Sequence, residues 1–365
     1  MHPTVLEVDL KALAHNYKVI SQACPKHTKI LAVVKAFGYG SDAVGIAKKL
    51  DALGAAYLAV AYTQEGVALR LAGIKTPILV LHPTAANFSL LIKHCLEPTL
   101  YSLKMADAFR AFAENEKQNN YPVHIKLNTG LNRLGFTDTD FNFLTTTLFK
   151  SPALKVISLF SHLSASEDAQ EDPFTQTQLN TFNAWAKLLI KALGYTPLLH
   201  CSNTSAVLRH PSTHFSMVRV GIGLYGYGNQ SPHAQNLKVV ATLKTIISQT
   251  HTLQAGDSLG YNRAFIASTQ MRTATLPIGH ADGLPRALGN GKGWVRIHGE
   301  KAPILGHVCM DMIMVDITTI DCEEGDPVEI FGKHNALEDL AKVIDTIPYE
   351  LLTAISQRIP RKINS

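Results

Sequence analysis

Short, nearly continuous apolar segments recur through the first two thirds of the chain, and stretches with a helical period separate them. Continuous apolar runs of this length are typical of strands that are covered on both faces. They predict strands near Ile30–Val34, Tyr57–Ala61, Ile78–Leu81, Glu97–Tyr101, Val123–Leu127, Val156–Phe160, Leu198–Cys201 and Met217–Val220.

The stretches between these strands predict amphipathic helices. Leu10 and Leu13 begin one such apolar face, and Asp9 is placed to cap that helix. A further helix is predicted from Gln178 to Leu193. Eight strands that alternate with helices, without a reversal, favour a (β/α)8 TIM barrel over an open doubly wound sheet.

The pattern changes from Leu237 onward, where β-like segments and turn dipeptides dominate. The segments are Lys238–Ile247, Thr273–Ile278, Trp294–His298 and Met312–Ile317, and a short helix is predicted near Pro348–Arg358. We therefore expect an α/β chain with a TIM barrel over residues 1–235, followed by a mostly β C-terminal domain over residues 236–365.

Composition narrows the class of protein. The 365 residues include 46% hydrophobic and 17% charged positions, a balance typical of globular proteins. The net charge of +5 is dispersed, whereas a nucleic-acid binder usually carries a basic stripe. Five widely spaced cysteines contain no CxxC pair, so neither a disulfide framework nor a zinc site is predicted. The N-terminus does not resemble a signal peptide, and no apolar run is long enough to span a bilayer, so we expect a cytoplasmic protein without membrane or nucleic-acid partners.

The first candidate residue is Lys35, at the end of the apolar segment LAVVK. The C-terminal ends of barrel strands face the active site. Desolvation there lowers the pKa of a lysine and makes its amine a better nucleophile towards carbonyl groups. Gly38 and Gly40 allow a tight turn after it, and Tyr39 adds a hydroxyl. A lysine that extends into solvent fits the local pattern equally well.

Cations and imidazoles follow later strands. Lys126 and Arg133 flank a glycine-containing turn after the fifth strand, and an arginine there can clamp a carboxylate or a phenolate oxygen. His162 and His200 follow the sixth and seventh strands. One histidine at a strand end is more often structural than catalytic, but two on successive strands of one barrel favour a site.

The best candidate for phosphate binding lies after the eighth strand. Phosphate sites in barrels are often built from the loops after strands seven and eight. The amides of Gly221 and Ile222 can point towards phosphate oxygens, and Arg219 lies two residues before them. Asn203 and Thr204, after the seventh strand, add small amide and hydroxyl groups.

Three further candidates lie in the second domain. Tyr261 stands in a turn flanked by glycine, and Met310 and Asp311 precede a strand. A tyrosine in a turn is most often a surface residue, and nothing local indicates catalysis.

Taken together, these segments resemble the alanine racemases, isomerases that carry pyridoxal phosphate on a barrel. The resemblance covers essentially the whole chain, in order and with compatible spacing. It rests on eight short segments, in each of which the matching letters can be separated by other residues. In chain order they are AVVK with YG, K with NTG and NRLGF, SH with S, H with SN, RVGIGLYG, GY with R and F, PIG with ADG and PR, and CMDM with MVD.

The resemblance implies specific roles. Lys35 resembles the lysine that binds the cofactor covalently, and Tyr261 resembles the second proton-transfer residue. Arg219 would bind the ring nitrogen of the cofactor, and Arg133 would face its phenolic oxygen and the substrate carboxylate. The other implied cofactor contacts are Tyr39, His162, Asn203, Thr204, Gly221, Ile222 and Tyr349. The remaining assignments are a substrate contact at the Met310 amide and supporting positions at His200, Lys126 and Asp311.

The resemblance further implies how these residues work together. Tyr261 would act on the L-enantiomer and Lys35 on the D-enantiomer, from opposite faces of the substrate. His162 and His200 would orient Tyr261 and Arg219, and Lys126 matches a lysine that is carbamylated in some members. The family assembles as a dimer in which the second domain of one subunit covers the barrel of the other. The product would supply D-alanine for peptidoglycan, or the enzyme would degrade D-alanine.

Some positions depart from the family pattern, among them Phe37, Gly38, Glu167, His280 and Leu284. None removes a group that the mechanism needs, although they leave the shape of the substrate channel open. A racemase for serine or for several amino acids is therefore the nearest alternative. A decarboxylase of the same fold would place a carboxylate where Arg219 stands, and a non-enzymatic cofactor-binding protein would usually lack the second domain. A metal-dependent hydrolase would need carboxylates beside the histidines.

Overall fold

The computed structural model of the chain describes residues 2–228 and 232–364. The elements up to the last barrel strand are β1 (Val5–Asp9), α1 (Leu10–Ala23), β2 (Lys29–Val33), α2 (Lys35–Tyr39), α3 (Ala43–Ala52), β3 (Tyr57–Val60), α4 (Thr63–Leu71), β4 (Ile78–Val80), α5 (Phe88–Lys93), β5 (Glu97–Leu100), α6 (Leu103–Asn115), β6 (Tyr121–Lys126), α7 (Phe141–Thr146), β7 (Leu154–Phe160), α8 (Asp172–Leu193), β8 (Leu198–His200), α9 (Thr204–Arg209) and β9 (Met217–Val220).

The remaining elements are mostly strands. They are β10 (Ala241–Ile246), β11 (Gln249–Leu253), β12 (Ser258–Leu259), β13 (Phe265–Ile266), β14 (Met271–Leu276), β15 (Trp294–Ile297), β16 (Glu300–Leu305), β17 (Ile313–Asp316), β18 (Pro327–Phe331), α10 (Leu337–Lys342), α11 (Pro348–Ala354) and β19 (Arg361–Asn364).

Within the described residues, β2 to β9 form one parallel eight-stranded sheet in the order β8-β7-β6-β5-β4-β3-β2-β9. Its two edge strands are joined by hydrogen bonds, since the Arg219 amide donates to the Ser202 carbonyl at 3.0 Å and the Leu199 amide donates to Ser216 Oγ at 2.6 Å. The strands β3, β4 and β9 are buried along their whole length because helices cover one face and side chains fill the other. The predicted TIM barrel is confirmed, and a strand overlaps each predicted segment.

Local signals explain several helix ends in this part of the chain. Asp9 Oδ1 accepts hydrogen bonds of 2.9 Å from the amides of Lys11 and Ala12, as predicted for the cap of α1. The helix α8 ends where Gly194 adopts a φ of 76°, a left-handed conformation that glycine allows at low cost.

The C-terminal part is mostly β, as predicted. Within the described residues, its large sheet has the order β11-β14-β17-β16-β15-β18-β10-β1-β19. The N-terminal strand β1 lies inside this sheet, antiparallel to β10 and parallel to β19. The helix predicted near Pro348–Arg358 ends at Ala354, and the strand β19 follows it.

The chain divides into two compact units. One comprises Met1–Ala12, Tyr39–Asp42 and Val239–Ser365, and the other comprises Leu13–Gly38 and Ala43–Lys238. We call them the β unit and the barrel unit. The boundary predicted between residues 235 and 236 stays a prediction. No helix in the described ranges is both long enough and apolar enough to cross a bilayer.

Candidate active site

Lys35 stands directly after the barrel strand β2, at the start of an unusual turn. Ala36 and Phe37 have φ values of 53° and 56°, so α2 is a left-handed helical turn. This conformation costs roughly 1–2 kcal/mol for each residue that carries a Cβ. Glu65 offsets part of that cost, because its carboxylate accepts hydrogen bonds of 2.7 Å from the amides of Ala36 and Ala61. The turn therefore holds Lys35 in a defined place at the rim.

Burial lowers the pKa of Lys35 below that of a free lysine, and the positive charge of Arg133 lowers it further. A lower pKa increases the fraction of neutral amine at physiological pH, and only the neutral amine is a nucleophile or a base. The predicted desolvation of Lys35 is thus a property of the folded barrel unit.

Arg219 lies in the barrel strand β9 and is only 5% exposed. Its Nη1 atom donates to His200 Nδ1 at 2.8 Å, and its Nη2 atom donates to His162 Nδ1 at 3.0 Å and to the Ser161 carbonyl at 2.6 Å. Burial lowers the pKa of Arg219 to about 10, which leaves the guanidinium charged at neutral pH. Burial and the charge of Arg219 depress the pKa values of both histidines well below the usual range, so both imidazoles are neutral acceptors.

Two more cations lie close to this arginine. Lys126 ends β6 and is 8% exposed; burial and the charges of Arg133, Arg219 and Lys35 lower the pKa of Lys126 to about 8. Arg133 lies in the following loop and is exposed. The structure therefore brings Lys35, Lys126, Arg133 and Arg219 together as a positive site suited to an anionic ligand.

A backbone cradle follows β8 and β9. Asn203 caps α9 by accepting a 2.9 Å hydrogen bond from the Ala206 amide, and Thr204 Oγ1 accepts one of 3.2 Å from the Gly223 amide. A Cβ at Gly223 would lie 2.6 Å from Thr204 Cγ2, so only glycine allows this approach. The amides of Gly221 and Ile222 open the 3-10 turn Ile222–Tyr225 and have no acceptor within it. They are placed to bind an oxyanion.

The fit of pyridoxal phosphate follows from these observations. The cradle provides amides and a hydroxyl for a phosphate, and Lys35 provides an amine of lowered pKa for an aldehyde. The residues of the barrel unit therefore match both reactive ends of this cofactor. Among the described residues, no cluster of His, Cys, Asp and Glu side chains is arranged to hold a metal ion.

The other candidates belong to the β unit. The rings of Tyr39 and Tyr349 lie 6.0 Å apart, and burial, with a contribution from Tyr349, raises the pKa of Tyr39 above that of free tyrosine. The Tyr39 hydroxyl therefore stays protonated and can donate a hydrogen bond to an anion.

Tyr261 and Met310 are surface residues of the same unit, 73% and 60% exposed. Tyr261 begins a short 3-10 turn, and the preceding Gly260 has a φ of 74°. Asp311 forms a 2.6 Å ion pair with Arg358, which also binds Asp282 at 2.7 Å. This ion pair links the segment next to Met310 to the residues that follow α11.

Sequence reasoning missed two residues that support these segments. Glu65 carries only half of a capping-box signature, because Tyr62 at the start of the helix lacks the Ser or Thr hydroxyl that completes the motif. Arg358 carries no local signal, since its partners Asp282 and Asp311 are 76 and 47 residues away along the chain.

Comparison with known proteins identifies the family. The family model described as the N-terminal domain of alanine racemase matches residues 8–229, and the model of the C-terminal domain matches residues 240–363. The chain belongs to the alanine racemase family. This confirms the resemblance that the sequence motifs indicated.

The alignments with similar proteins span nearly the full length of both chains. An alanine racemase of Nostoc sp. is 37% identical over 98% of this chain and 94% of its own. The structure of an alanine racemase from Clostridium difficile 630 is 33% identical with a TM-score of 0.93, covering 100% of this chain and 96% of its own. An alanine racemase from Bartonella henselae, solved with covalently bound pyridoxal phosphate, is 29% identical with a TM-score of 0.90 and full coverage of both chains.

Proposed function

We propose that this chain interconverts L-alanine and D-alanine with pyridoxal phosphate, using Lys35 and Tyr261 as its two proton-transfer groups. The observation that carries the proposal is the pairing of a lysine of lowered pKa with a buried arginine. Lys35 ends β2, and Arg219 is hydrogen-bonded between two neutral imidazoles. Family membership over the whole chain supports alanine as the substrate.

The cofactor would be held mainly by the barrel unit. Lys35 would bind it covalently, and Thr204 with the amides of Gly221 and Ile222 would bind its phosphate. Tyr39 and Tyr349 stay the further phosphate contacts that the family resemblance implies. When bound, pyridoxal phosphate acidifies the Cα–H bond of an attached amino acid, because it delocalises the charge left by proton loss. Asn203 supports the phosphate site by capping α9.

Lys35 and Tyr261 would move the α-proton on opposite faces of the substrate. The lowered pKa of Lys35 increases the fraction of its amine that is neutral and able to accept a proton. We assign Tyr261 to the L-enantiomer and Lys35 to the D-enantiomer. Arg133 and the Met310 amide would hold the substrate carboxylate, because a guanidinium fork and a backbone donor both fit a carboxylate.

Arg219 would control which reaction follows proton loss. A guanidinium donates hydrogen bonds but does not readily release a proton, so Arg219 would orient the ring nitrogen without protonating it. An unprotonated ring nitrogen is a weaker electron sink, which limits transfer of the amino group as a side reaction. His162 and His200 support this role by holding the guanidinium in place.

We further propose a homodimer with active sites shared between subunits. Tyr261, Ile266, Met310 and Met312 are large apolar side chains of the β unit that are each about half exposed or more. Exposed apolar patches mark interaction surfaces. Tyr261 would then act on the Lys35 site of the other subunit. A cytoplasmic location, the fate of D-alanine and a carbamylated Lys126 stay predictions.

The test is proton exchange of L-alanine in deuterated water with the protein loaded with pyridoxal phosphate. Loss of the α-proton signal together with formation of D-alanine is the expected result. Exchange without D-alanine would show one working base and would contradict the assignment of two bases. Exchange with serine or lysine but not with alanine would favour the alternative specificity. Silence with all three amino acids would overturn the proposal.

A further inference from the structure

A continuous set of hydrogen bonds crosses the interior of the barrel unit away from the proposed reacting groups. His200 Nε2 lies 2.9 Å from Ser158 Oγ, and Ser158 Oγ lies 2.6 Å from His124 Nδ1. His124 Nε2 lies 2.7 Å from Glu97 Oε2. Together with the bond from Arg219 to His200, these contacts form what we call the relay: Glu97, His124, Ser158, His200 and Arg219.

The direction of every hydrogen bond in the relay follows from its two ends. The Arg219 guanidinium can only donate, so His200 Nδ1 is bare and the ring carries its proton on Nε2. His200 therefore donates to Ser158 Oγ, and the single proton of that hydroxyl is left for His124 Nδ1. At the other end, the Glu97 carboxylate accepts from His124 Nε2. In this arrangement each ring nitrogen of His200 and His124 faces a partner of the opposite kind, with none mismatched.

A β-bulge places Ser158 in the relay. The pairing of β6 and β7 runs from Val123 opposite Val156 to His124 opposite Ser158, so Ile157 is an extra residue on β7. Bulges redirect side chains and occur beside functional sites. Without this extra residue, the alternation along β7 would place a different side chain opposite His124.

Aromatic packing fixes the two imidazoles of the relay. The ring of Phe160 stacks on His200 with centroids 4.8 Å apart and planes at 6°, and it also lies 5.3 Å from the Arg219 guanidinium carbon. The ring of Tyr57 packs edge-on against His124 at 5.7 Å. Both imidazoles are fully buried, so their tautomers are set by the relay and not by water.

Arg219 needs a counter-charge that its own hydrogen bonds do not provide. In the described ranges, its acceptors are imidazole nitrogens and backbone carbonyls, and no carboxylate forms an ion pair with it. A buried charge without a partner is costly. Glu97 is the carboxylate to which the relay connects it.

We propose that Glu97 is the remote counter-charge of Arg219, and that His124 and Ser158 are positioning residues that transmit its influence to His200. Hydrogen bonds in a chain polarise one another, so a carboxylate at one end strengthens the acceptor at the other. The relay therefore keeps His200 neutral with a bare Nδ1 and keeps Arg219 oriented as a donor. The effect of the relay on catalysis rests on the proposed role of Arg219. The tautomers of the two imidazoles do not depend on that role.

The test is imidazole nitrogen and N–H proton NMR of the cofactor-loaded protein and of the cofactor-free protein, labelled at histidine. We expect His124 and His200 to carry their protons on Nε2. In Ser158→Ala, the His200 N–H signal should move upfield and exchange with water faster, because it loses its acceptor. Ser158→Thr keeps the hydroxyl and should restore the signal.

Glu97→Gln removes the negative charge of the side chain and keeps its shape. The amide can still accept from His124, but a hydrogen bond to a neutral acceptor is weaker than one to a carboxylate. We expect the His200 signal to shift although the substituted side chain does not touch that residue, and kcat for racemisation to fall about fivefold to tenfold with little change in KM.

Thr99→Val is the matched control. Thr99 is buried on the same strand as Glu97, and its hydroxyl has no hydrogen-bond partner among the described residues. The variant should leave the His200 signal and kcat unchanged.

A proton on His200 Nδ1 would overturn the relay, as would a His200 signal that is unmoved in both Glu97→Gln and Ser158→Ala. If the tautomers are as expected while the protein does not racemise alanine, the relay stands and the proposed function fails. If racemisation is present and the tautomers differ, only the relay fails.

Discussion

The carboxylate of Glu65 accepts a 2.7 Å hydrogen bond from the backbone amide of Ala36, the residue that follows Lys35. A helix of the barrel unit thus holds in place the left-handed turn that begins at Lys35. The arrangement ties a local backbone conformation, unfavourable by itself, to the position of one reactive amine.

Lys35→Ala removes that amine. We expect loss of covalently bound cofactor and of nearly all racemisation, because no amine then stands at the end of β2. The measurements are the absorbance of the bound cofactor and the mass of the protein after borohydride reduction. Lys29→Ala, at the exposed start of the same strand, is the control and should behave like the parent protein. Retained covalent cofactor in Lys35→Ala would mean that a different lysine binds it.

Arg219→Glu replaces the donor at the proposed ring-nitrogen site by a group that can hold or release a proton. Racemisation should fall by about 100-fold or more, the usual loss when one electrostatic contact at a reacting group is removed. The amount of keto acid formed per racemisation event should rise. Arg219→Lys retains a cation, so we expect it to lose rate without that rise. Equal side-reaction ratios in the two variants would contradict the role given to Arg219.

A mixture of two inactive variants tests the shared active site. If Tyr261 acts on the other subunit, a heterodimer of Lys35→Ala and Tyr261→Phe subunits contains one intact site and one that lacks both groups. Equal amounts that exchange subunits freely should recover about a quarter of the parent activity, since half of the dimers are mixed and each has one working site. If both groups belong to one subunit, mixing should recover nothing.

Lys126→Met tests how much the buried amine of Lys126 lowers the free energy of unfolding. The folded pKa of about 8 lies below the value of 10.5 for a free lysine, so the unfolded chain binds more protons between these pH values. Stability should therefore rise with pH across this window in the parent protein. We expect the variant to be more stable by on the order of 3 kcal/mol at pH 7, with the advantage shrinking towards pH 10.

The measurement is urea unfolding of both proteins at several pH values, in buffer free of bicarbonate so that the amine stays unmodified. Lys155→Met, exposed on β7, is the control and should show no such pH dependence. An advantage of Lys126→Met that is constant with pH would show that packing, and not the charge, is responsible.

The barrel was predictable because its strands carry their own signal. Segments such as Ile78–Val80 are buried on both faces, and a run of apolar residues is the direct consequence. The N-terminal strand Val5–Asp9 was not predicted. It alternates between buried and partly buried positions, but its partners β10 and β19 lie more than 230 residues away along the chain.

The residues of the candidate site likewise fall into those that the sequence predicts and those that it does not. Lys35 and the glycine-containing turn after β9 were predictable, since each directly follows an apolar strand, and Arg219 was singled out because it lies two residues before that turn. Glu97, His124 and Ser158 were not singled out, because polar residues inside strands are read as interruptions of the apolar pattern. Their role depends on which strands are neighbours and on the bulge that places Ser158 opposite His124.

The sequence by itself determined the order of strands and helices, the family and the residues at the strand ends, because local periodicity and motif spacing are properties of a continuous chain. The tertiary structure alone decided the tautomers of the buried imidazoles, the burial that lowers the pKa of Lys35 and Lys126, and the left-handed turn held by Glu65. Each of these depends on desolvation or on a hydrogen bond between residues far apart in the chain, and neither exists until the barrel has formed.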